Sequence, residues 1–398
     1  MLRPNTFALT ALLALLTGLG PLSMDMYLPS LPDIGRVLHA SPAQVQLTMS
    51  SYLVGFAVGQ ILYGPISDRF GRKPVLLAAL VLFCVGSLIC ATTESIQYLV
   101  AVRFVQALGG AGSVVLGQAI VRDLYTGVRA GRELSVMGSI MGLAPIIAPL
   151  IGGVLQTAFG WHASFFVLVF FALAACSIVG RFLPETLRER TPGPFSLRQM
   201  CALYRSVLTH HGFLAHLGIL TVSYVGLMVW VSGASIVLQG VYGLTPMSFG
   251  VAFACSSAGF LLGANIAARI VTRLGLHHTI GIGTAVMATG GLIMAADVAL
   301  GDNHVVLLVG SMTIYLAGLG LAMPQTLAGA LTPFPDRAGT AASLMGFTQQ
   351  SGAAIGAAVT GIYLGHSAWP VAGTIATMGC LSFLVWLLTR GVRHAAVN

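Results

Sequence analysis

Two charged side chains stand inside stretches otherwise built for lipid. Asp25 lies in "GPLSMDMYLPSLP" (Gly20 to Pro32), and Arg103 opens "RFVQALGGAGSVV". Either one alone in hydrocarbon would cost on the order of 3 kcal/mol, so each needs a partner, an interior position or a purpose. A carboxyl that alternates between anion and neutral acid can carry a proton. A neighbouring arginine favours its charged form, while desolvation and an apolar ligand favour the neutral one. Arg103 falls about six residues into its apolar run and Asp25 a few residues into its own from the same side, so at ~1.5 Å per residue their depths are comparable and shallow. The plainer alternative makes Asp25 the cap of an interfacial turn before Pro29.

A second group of charges lies in "GPISDRFGRKP" (Gly64 to Pro74), where Asp68 and Arg72 are four residues apart. Gly71 permits a tight turn and Pro74 suits the first turn of a following helix. A basic loop at a membrane surface would account for Arg69, Arg72 and Lys73, but not for the acid or the glycine spacing. In "APIIAPLIGG" (Ala144 to Gly153), Pro145 and Pro149 bend a helix, and Gly152 and Gly153 allow a neighbour to approach closely; an ordinary packing face would look similar. Polar residues within apolar runs are candidates to line a ligand cavity: Tyr52, Gln60, Gln106, Gln118, Tyr224, Trp230, Asn265, Gln325, Gln349 and Gln350. Each could instead hydrogen-bond between helices. The pairs His210–His211 and His277–His278 lack zinc-ligand spacing and read as solvated, and no GxxxxGK[ST] loop is present to bind a nucleotide.

The elements that position these residues follow from composition. Of 398 residues 56% are hydrophobic and 8% charged, against about 25% charged in soluble domains, so lipid must face most of the chain. The net charge of +8 then belongs to loops rather than to a nucleic-acid surface. The six cysteines have neither disulfide nor metal spacing. Arg3 precedes an apolar run as in a signal peptide, but no small-x-small site follows, so this run is expected to be a retained helix. Runs long enough to span a bilayer lie near 7–27, 45–66, 74–93, 98–121, 133–157, 163–183, 212–238, 247–271, 276–297, 304–327, 338–363 and 369–389.

The longest polar interruption, Arg181 to His211, divides them six and six. The expected organisation is a bundle over 1–183, a linker over 184–211 and a second bundle over 212–398. With the N-terminus inside, nearly every arginine falls on the cytoplasmic side, Arg36 being the exception outside, so both termini are expected there. The halves also repeat. "RAGRELSVMG" from Arg129 matches "RAGTAASLMG" from Arg337 at an offset of 208, and Trp161, Gly110 and Gly112 fall on Trp369, Gly318 and Gly320. At that offset Arg103 falls on Ser311 and Asp25 on Gly233. The spans therefore offer one acid, Asp25, and proton coupling is assigned to the first six of them.

Parallel six-span repeats are the architecture of major facilitator transporters, and several motifs carry the resemblance. "GPISDRFGRKP" resembles the superfamily's G-xxx-D-xxx-R signature. By that resemblance Asp68 would meet the start of the span after Arg337, and Arg72 would pair with Asp123 of "VRDLY", latching the cytoplasmic side. "APIIAPLIGG" resembles the antiporter signature G-xxx-G-P-xx-G-G, with Ala144 and Ala148 in place of its first two glycines. Together with "PLSMDMYLPSLPDI", "RFVQALGGAGSVV" and "HSAWP", these motifs resemble the bicyclomycin/chloramphenicol-resistance (Bcr/CflA) branch of drug:proton antiporters across nearly the whole chain.

The resemblance implies an all-α membrane protein of twelve helices in two pseudo-symmetric bundles. It implies Asp25 as proton site with Arg103 nearby, and export of an amphipathic drug driven by the proton gradient without a cofactor. The expected setting is the bacterial inner membrane, as a monomer. Proton-coupled movement of a small metabolite, uptake included, is the alternative within the same fold. A membrane-embedded enzyme would need paired acids or HExxH at membrane depth, and a channel a repeated pore-lining ring. Neither pattern occurs.

Overall fold

A computed structural model describes residues 6–125, 127–187, 197–301, 304–334, 337–365 and 367–391. Among the described residues all regular structure is helical. The chain divides into two compact units, Met1–Pro194 and Phe195–Asn398.

In the first unit α1 (Phe7–Asp25) runs into a 3-10 turn at Leu28–Ser30 and the short α2 (Leu31–Val37). Prolines at Pro29 and Pro32 open both short pieces, where a missing N–H costs least. Then follow α3 (Pro42–Phe70), α4 (Arg72–Thr92), α5 (Ile96–Leu124), α6 (Gly127–Phe159) and α7 (His162–Phe182). The start of α3 is fixed by a capping box: Ser41 Oγ accepts from Gln44 N, Gln44 Oε1 accepts from Ser41 N, and Pro42 follows. Helix α5 packs against α1, α3 and α4, while α1 also packs against α6 and α7. The middle of α5 is buried all round at Ala107, Gly109, Gly110, Ala111, Gly112 and Ser113, residues small enough for helices to approach without a hydrophobic driving force between them.

The second unit begins with α8 (Leu197–Leu208), which lies inside the stretch expected to be a linker. Its Val207 is fully buried with Phe213, Leu217 and Leu344, while Arg205 and Ser206 stay exposed, so this part of the stretch is an amphipathic helix packed on the second unit. Its charges had hidden that pattern. Next come α9 (His211–Ser235), a π-helical segment at Ile236–Val241, α10 (Pro246–Leu300), α11 (Val305–Leu331), α12 (Ala338–Tyr363) and α13 (Trp369–Leu388). His210, expected to be solvated, caps α9 by accepting from Phe213 N at 3.2 Å.

Ten of the helical segments are long and apolar enough to cross a membrane. One of them, α10, is two helices joined at Gly275, whose φ of 75° and ψ of 166° break the helix. Helix α12 has the length, but Thr348, Gln349, Gln350 and Ser351 make it too polar to count by composition alone. With α10 counted as two and α12 included, the spans number twelve, six per unit.

Candidate functional site

The centre of the first unit is Arg103, fully buried on α5. Nη1 donates to the Ser23 carbonyl at 3.1 Å and to Gln106 Oε1 at 2.5 Å. The guanidinium carbon lies 4.2 Å from the centre of the Tyr52 ring and 4.3 Å from that of Tyr27, with Phe165 at 5.8 Å. A desolvated cation over an aromatic face gains about 2 kcal/mol, so two such faces and two oxygens hold this charge without a carboxylate. Further bonds fix the holders. Tyr52 OH donates to the Gly20 carbonyl at 3.1 Å and shares a hydrogen bond with Ser23 Oγ. Tyr27 OH bonds Thr48 Oγ1 at 3.0 Å, and Gln106 Nε2 donates to Ser87 Oγ at 2.8 Å. Arg103 still has Nε and Nη2 buried with no acceptor.

Asp25 is the last residue of α1, 1% exposed, with Oδ1 lacking any hydrogen-bond partner. It lies within electrostatic reach of Tyr52, as does Arg103. No ion pair joins the acid to the arginine; of the two places expected for each charge, both take the interior. The reason is helical phase. Arg103 takes the Ser23 carbonyl, and residues two apart on a helix point to different faces. The capping alternative is not realised either, since neither the 3-10 turn nor α2 has a side-chain cap at its start. Beside the acid, the Met26 carbonyl accepts from Ser164 Oγ at 3.3 Å. A Cβ on Gly152 would lie 1.9 Å from that oxygen, so this glycine of the Pro145–Gly153 segment lets α6 close over the end of α1. Gly153, Pro149, Ala144 and Ala148 are buried on the same helix, and Pro145 is half-buried.

The remaining cavity candidates fall in both units. Gln60 has a buried Oε1 without a partner on α3. In the second unit Gln350 Nε2 donates to Tyr224 OH at 3.3 Å, Trp230 is fully buried with Nε1 unpartnered, and Gln349 Nε2 is likewise unpartnered. Gln325 is half-buried on α11. Asn265 is exposed and donates to its own backbone at Leu261 O, so it satisfies itself rather than joining the other polar side chains.

At the opposite end of these helices, Arg72 Nε donates to Asp123 Oδ2 at 2.9 Å, and Arg72 Nη1 pairs with Asp68 Oδ1 at 2.5 Å and with Ser67 Oγ at 2.6 Å. Gly71, at a φ of 102°, makes the turn, and Glu185 fills it. Its Oε1 accepts from the N–H of Arg72 (2.9 Å), Thr186 (2.9 Å) and Leu187 (3.0 Å), and its Oε2 from that of Lys73 at 3.2 Å. Thr186 Oγ1 also donates to Asp123 Oδ2 at 3.2 Å. Gly64 contributes a carbonyl to Ser67 Oγ, and the Arg69 guanidinium lies over the Phe70 ring.

The sequence profile of the Major Facilitator Superfamily matches residues 13–357. The chain belongs to this superfamily. It is 30% identical over 385 residues to a bicyclomycin resistance protein homolog of Haemophilus influenzae, covering 96% of each chain. It is 29% identical to multidrug resistance protein D of Escherichia coli over 97% of each, and 31% identical to a chloramphenicol resistance protein of Pseudomonas aeruginosa over 89% of this chain and 84% of that one. These relatives are those of the Bcr/CflA branch. A D-xylose-proton symporter structure shares the fold at a TM-score of 0.76 and 17% identity, over 96% of each chain.

This facilitator is a multi-pass protein of the bacterial inner membrane. Two of its charged centres, the exposed Glu185 and the buried Asp297, gave no signal in the sequence. Glu185 follows Pro184 just past a span, and only its position under the α4 turn reveals a role. Asp297 lies on α10, 2% exposed, with both carboxylate oxygens lacking a partner. Among the described residues the spans thus bury two acids, Asp25 and Asp297. Asp297 closes the ninth apolar run, where an acid reads as the edge of the bilayer.

Proposed function

We propose that this facilitator exports amphipathic drugs in exchange for protons by alternating access, with both termini cytoplasmic and no cofactor. The relatives' names, all resistance proteins, support drug export. The observation that carries the proton half is Asp25: a carboxyl sealed at the end of α1 with one oxygen unsatisfied, on the helix whose Ser23 carbonyl holds an arginine with unsatisfied donors of its own.

The cycle then turns on one choice. As a neutral acid, Asp25 needs no counter-charge, and Arg103 rests on Tyr27, Tyr52 and the Ser23 carbonyl. As an anion it demands a cation, and the open Nε and Nη2 of Arg103 are the nearest source of one on its own unit. Deprotonation therefore pulls the guanidinium off its aromatic seat and moves the end of α1 relative to α3 and α5. A drug favours one arrangement and a proton the other, which is the differential binding that exchange requires. The Arg72–Asp68–Asp123 group, held under Glu185, acts as the latch at the cytoplasmic end.

The test is expression of the chain in a pump-deficient bacterium on an antibiotic panel, with drug-induced proton release measured in vesicles. Raised resistance together with proton release supports exchange. Improved growth on a scarce nutrient with no resistance would replace it by uptake.

A further inference from the structure

The second unit presents the sharper electrostatic problem. Asp297 sits three residues before the end of α10, on the face that also buries Gly290, Gly291 and Met294. Both of its oxygens are without a hydrogen bond. A carboxylate buried and unpaired costs several kcal/mol, which proteins relieve by a counter-ion or by taking up a proton.

Among the described residues, no helix packed against α10 offers Asp297 a lysine or arginine. Helix α10 packs against α9, the π-helical segment, α11 and α13. None of these carries a lysine or arginine. Their titratable side chains are His211, His216 and Tyr224 on α9, Tyr315 on α11 and Cys380 on α13, with Tyr242 just past the π-helical segment and His304 capping α11. The arginines of α10 itself, Arg269 and Arg273, precede Asp297 by 24 residues or more, about 36 Å along a helix rising ~1.5 Å per residue. The group that registers the acid is neutral: burial, and after it the Asp297 charge, raises the Tyr242 phenol above its ordinary range. The first unit buries an arginine as well as Asp25. Asp297 has no such cation on any described helix packed against its own, and a proton is the simplest relief for its unpaired oxygens.

We propose that Asp297 is a second proton-binding site, so that the exchanger carries a titrating carboxyl in each unit. This rests on the proton-exchange reading above, and extends it from one proton site to two. Its burial excludes a bulky organic cation but not a proton, which is bound as an O–H and released again to water. The π-helical segment at Ile236–Val241 packs on α10 and leads straight into Tyr242, and a helix wound in this looser way marks functional positions in many proteins.

The experiment is infrared difference spectroscopy of the purified full-length protein in lipid nanodiscs. Protons are the only ligand, and pH is stepped from neutral to acid. The parent should gain two buried-carboxyl C=O bands on acidification. Asp297→Asn should lose one and Asp25→Asn the other, and Asp297→Glu should keep a band with a displaced midpoint. If Asp297→Asn matches the parent while Asp25→Asn removes the whole signal, the second site is overturned and the exchange reading stands. If Asp25→Asn leaves the signal unchanged, the reading of Asp25 fails, whatever Asp297 does. An Asp297→Glu protein that folds but lacks the second band also overturns the proposal.

Discussion

The two units solve the same packing problem with different chemistry. In the first, a carbonyl of the opening helix, Ser23 O, is held by the Arg103 guanidinium. In the second, a carbonyl of its own opening helix, Ser223 O on α9, is held by the Tyr315 hydroxyl at 3.1 Å, at positions the repeat offset does not pair with Ser23 and Arg103. Both donors are fully buried and both reach across from the fourth span of their unit. The phenol is neutral, and a neutral bond asks nothing further of its surroundings. The guanidinium requires Tyr27, Tyr52, Gln106 and Ser87 around it, and still leaves two donors open. Hydrogen bonding alone can be met by a neutral group. A permanent charge is retained where something must be moved by it.

If that contrast is right, the largest effect comes from Arg103. Arg103→Ala removes the donor from the Ser23 carbonyl and from Gln106 Oε1 and empties the space under two tyrosines; a buried acceptor left unsatisfied costs about 1–3 kcal/mol, and the cavity adds to that. Thermal unfolding in detergent should register it, and transport should vanish. Arg103→Lys keeps the charge but loses the planar fit to the rings. It should fold measurably better than the alanine variant while remaining defective in export.

The matching change in the second unit, Tyr315→Phe, removes one neutral hydrogen bond worth about 1 kcal/mol. It should lower the unfolding temperature modestly and leave proton release by drug intact. Equal losses of transport in Tyr315→Phe and Arg103→Lys would break the comparison.

An intermediate effect is expected at the other end of the first unit. Asp68→Asn removes one of the two carboxylates paired with Arg72 but leaves Asp123 in place at 2.9 Å. The exposed half of such a pair is worth under about 1 kcal/mol, so the protein should reach the membrane in normal amount. Cysteine accessibility should shift towards the state open at that end, and identical labelling of mutant and parent from both sides would remove the latch from the account. The smallest effect is expected at Gln350→Ala, which loses a 3.3 Å bond to Tyr224. It should reorder resistance among drugs without changing the number of protons released.

How far the sequence reached depended on whether a feature is one-dimensional. The spans, the repeat and the acid and arginine are visible because hydropathy and charge are properties of positions. The partners of Arg103 are not, because they depend on the rotation of α1, α3 and α5 about their axes. A phase difference of two residues hands the arginine a backbone carbonyl and two rings instead of Asp25. Helix α8 was obscured because charge suggested a linker, although Val207 and Tyr204 lie three residues apart, as one helical face requires. Asp297 was passed over for its place at the end of an apolar run, where burial cannot be distinguished from the bilayer edge. Glu185 gave no periodic signal at all, since its role is to accept from backbone N–H groups more than 110 residues away.

The central claim is that Asp25 carries the exchanged proton, and vesicles test it most directly. Purified parent and Asp25→Asn protein are reconstituted under an imposed pH gradient, and the drug gradient each builds is followed over time. The account predicts that the parent accumulates drug against its gradient, while Asp25→Asn binds the drug but builds no gradient. A drug gradient in Asp25→Asn vesicles at the parent's rate would contradict it and place the proton elsewhere in the chain.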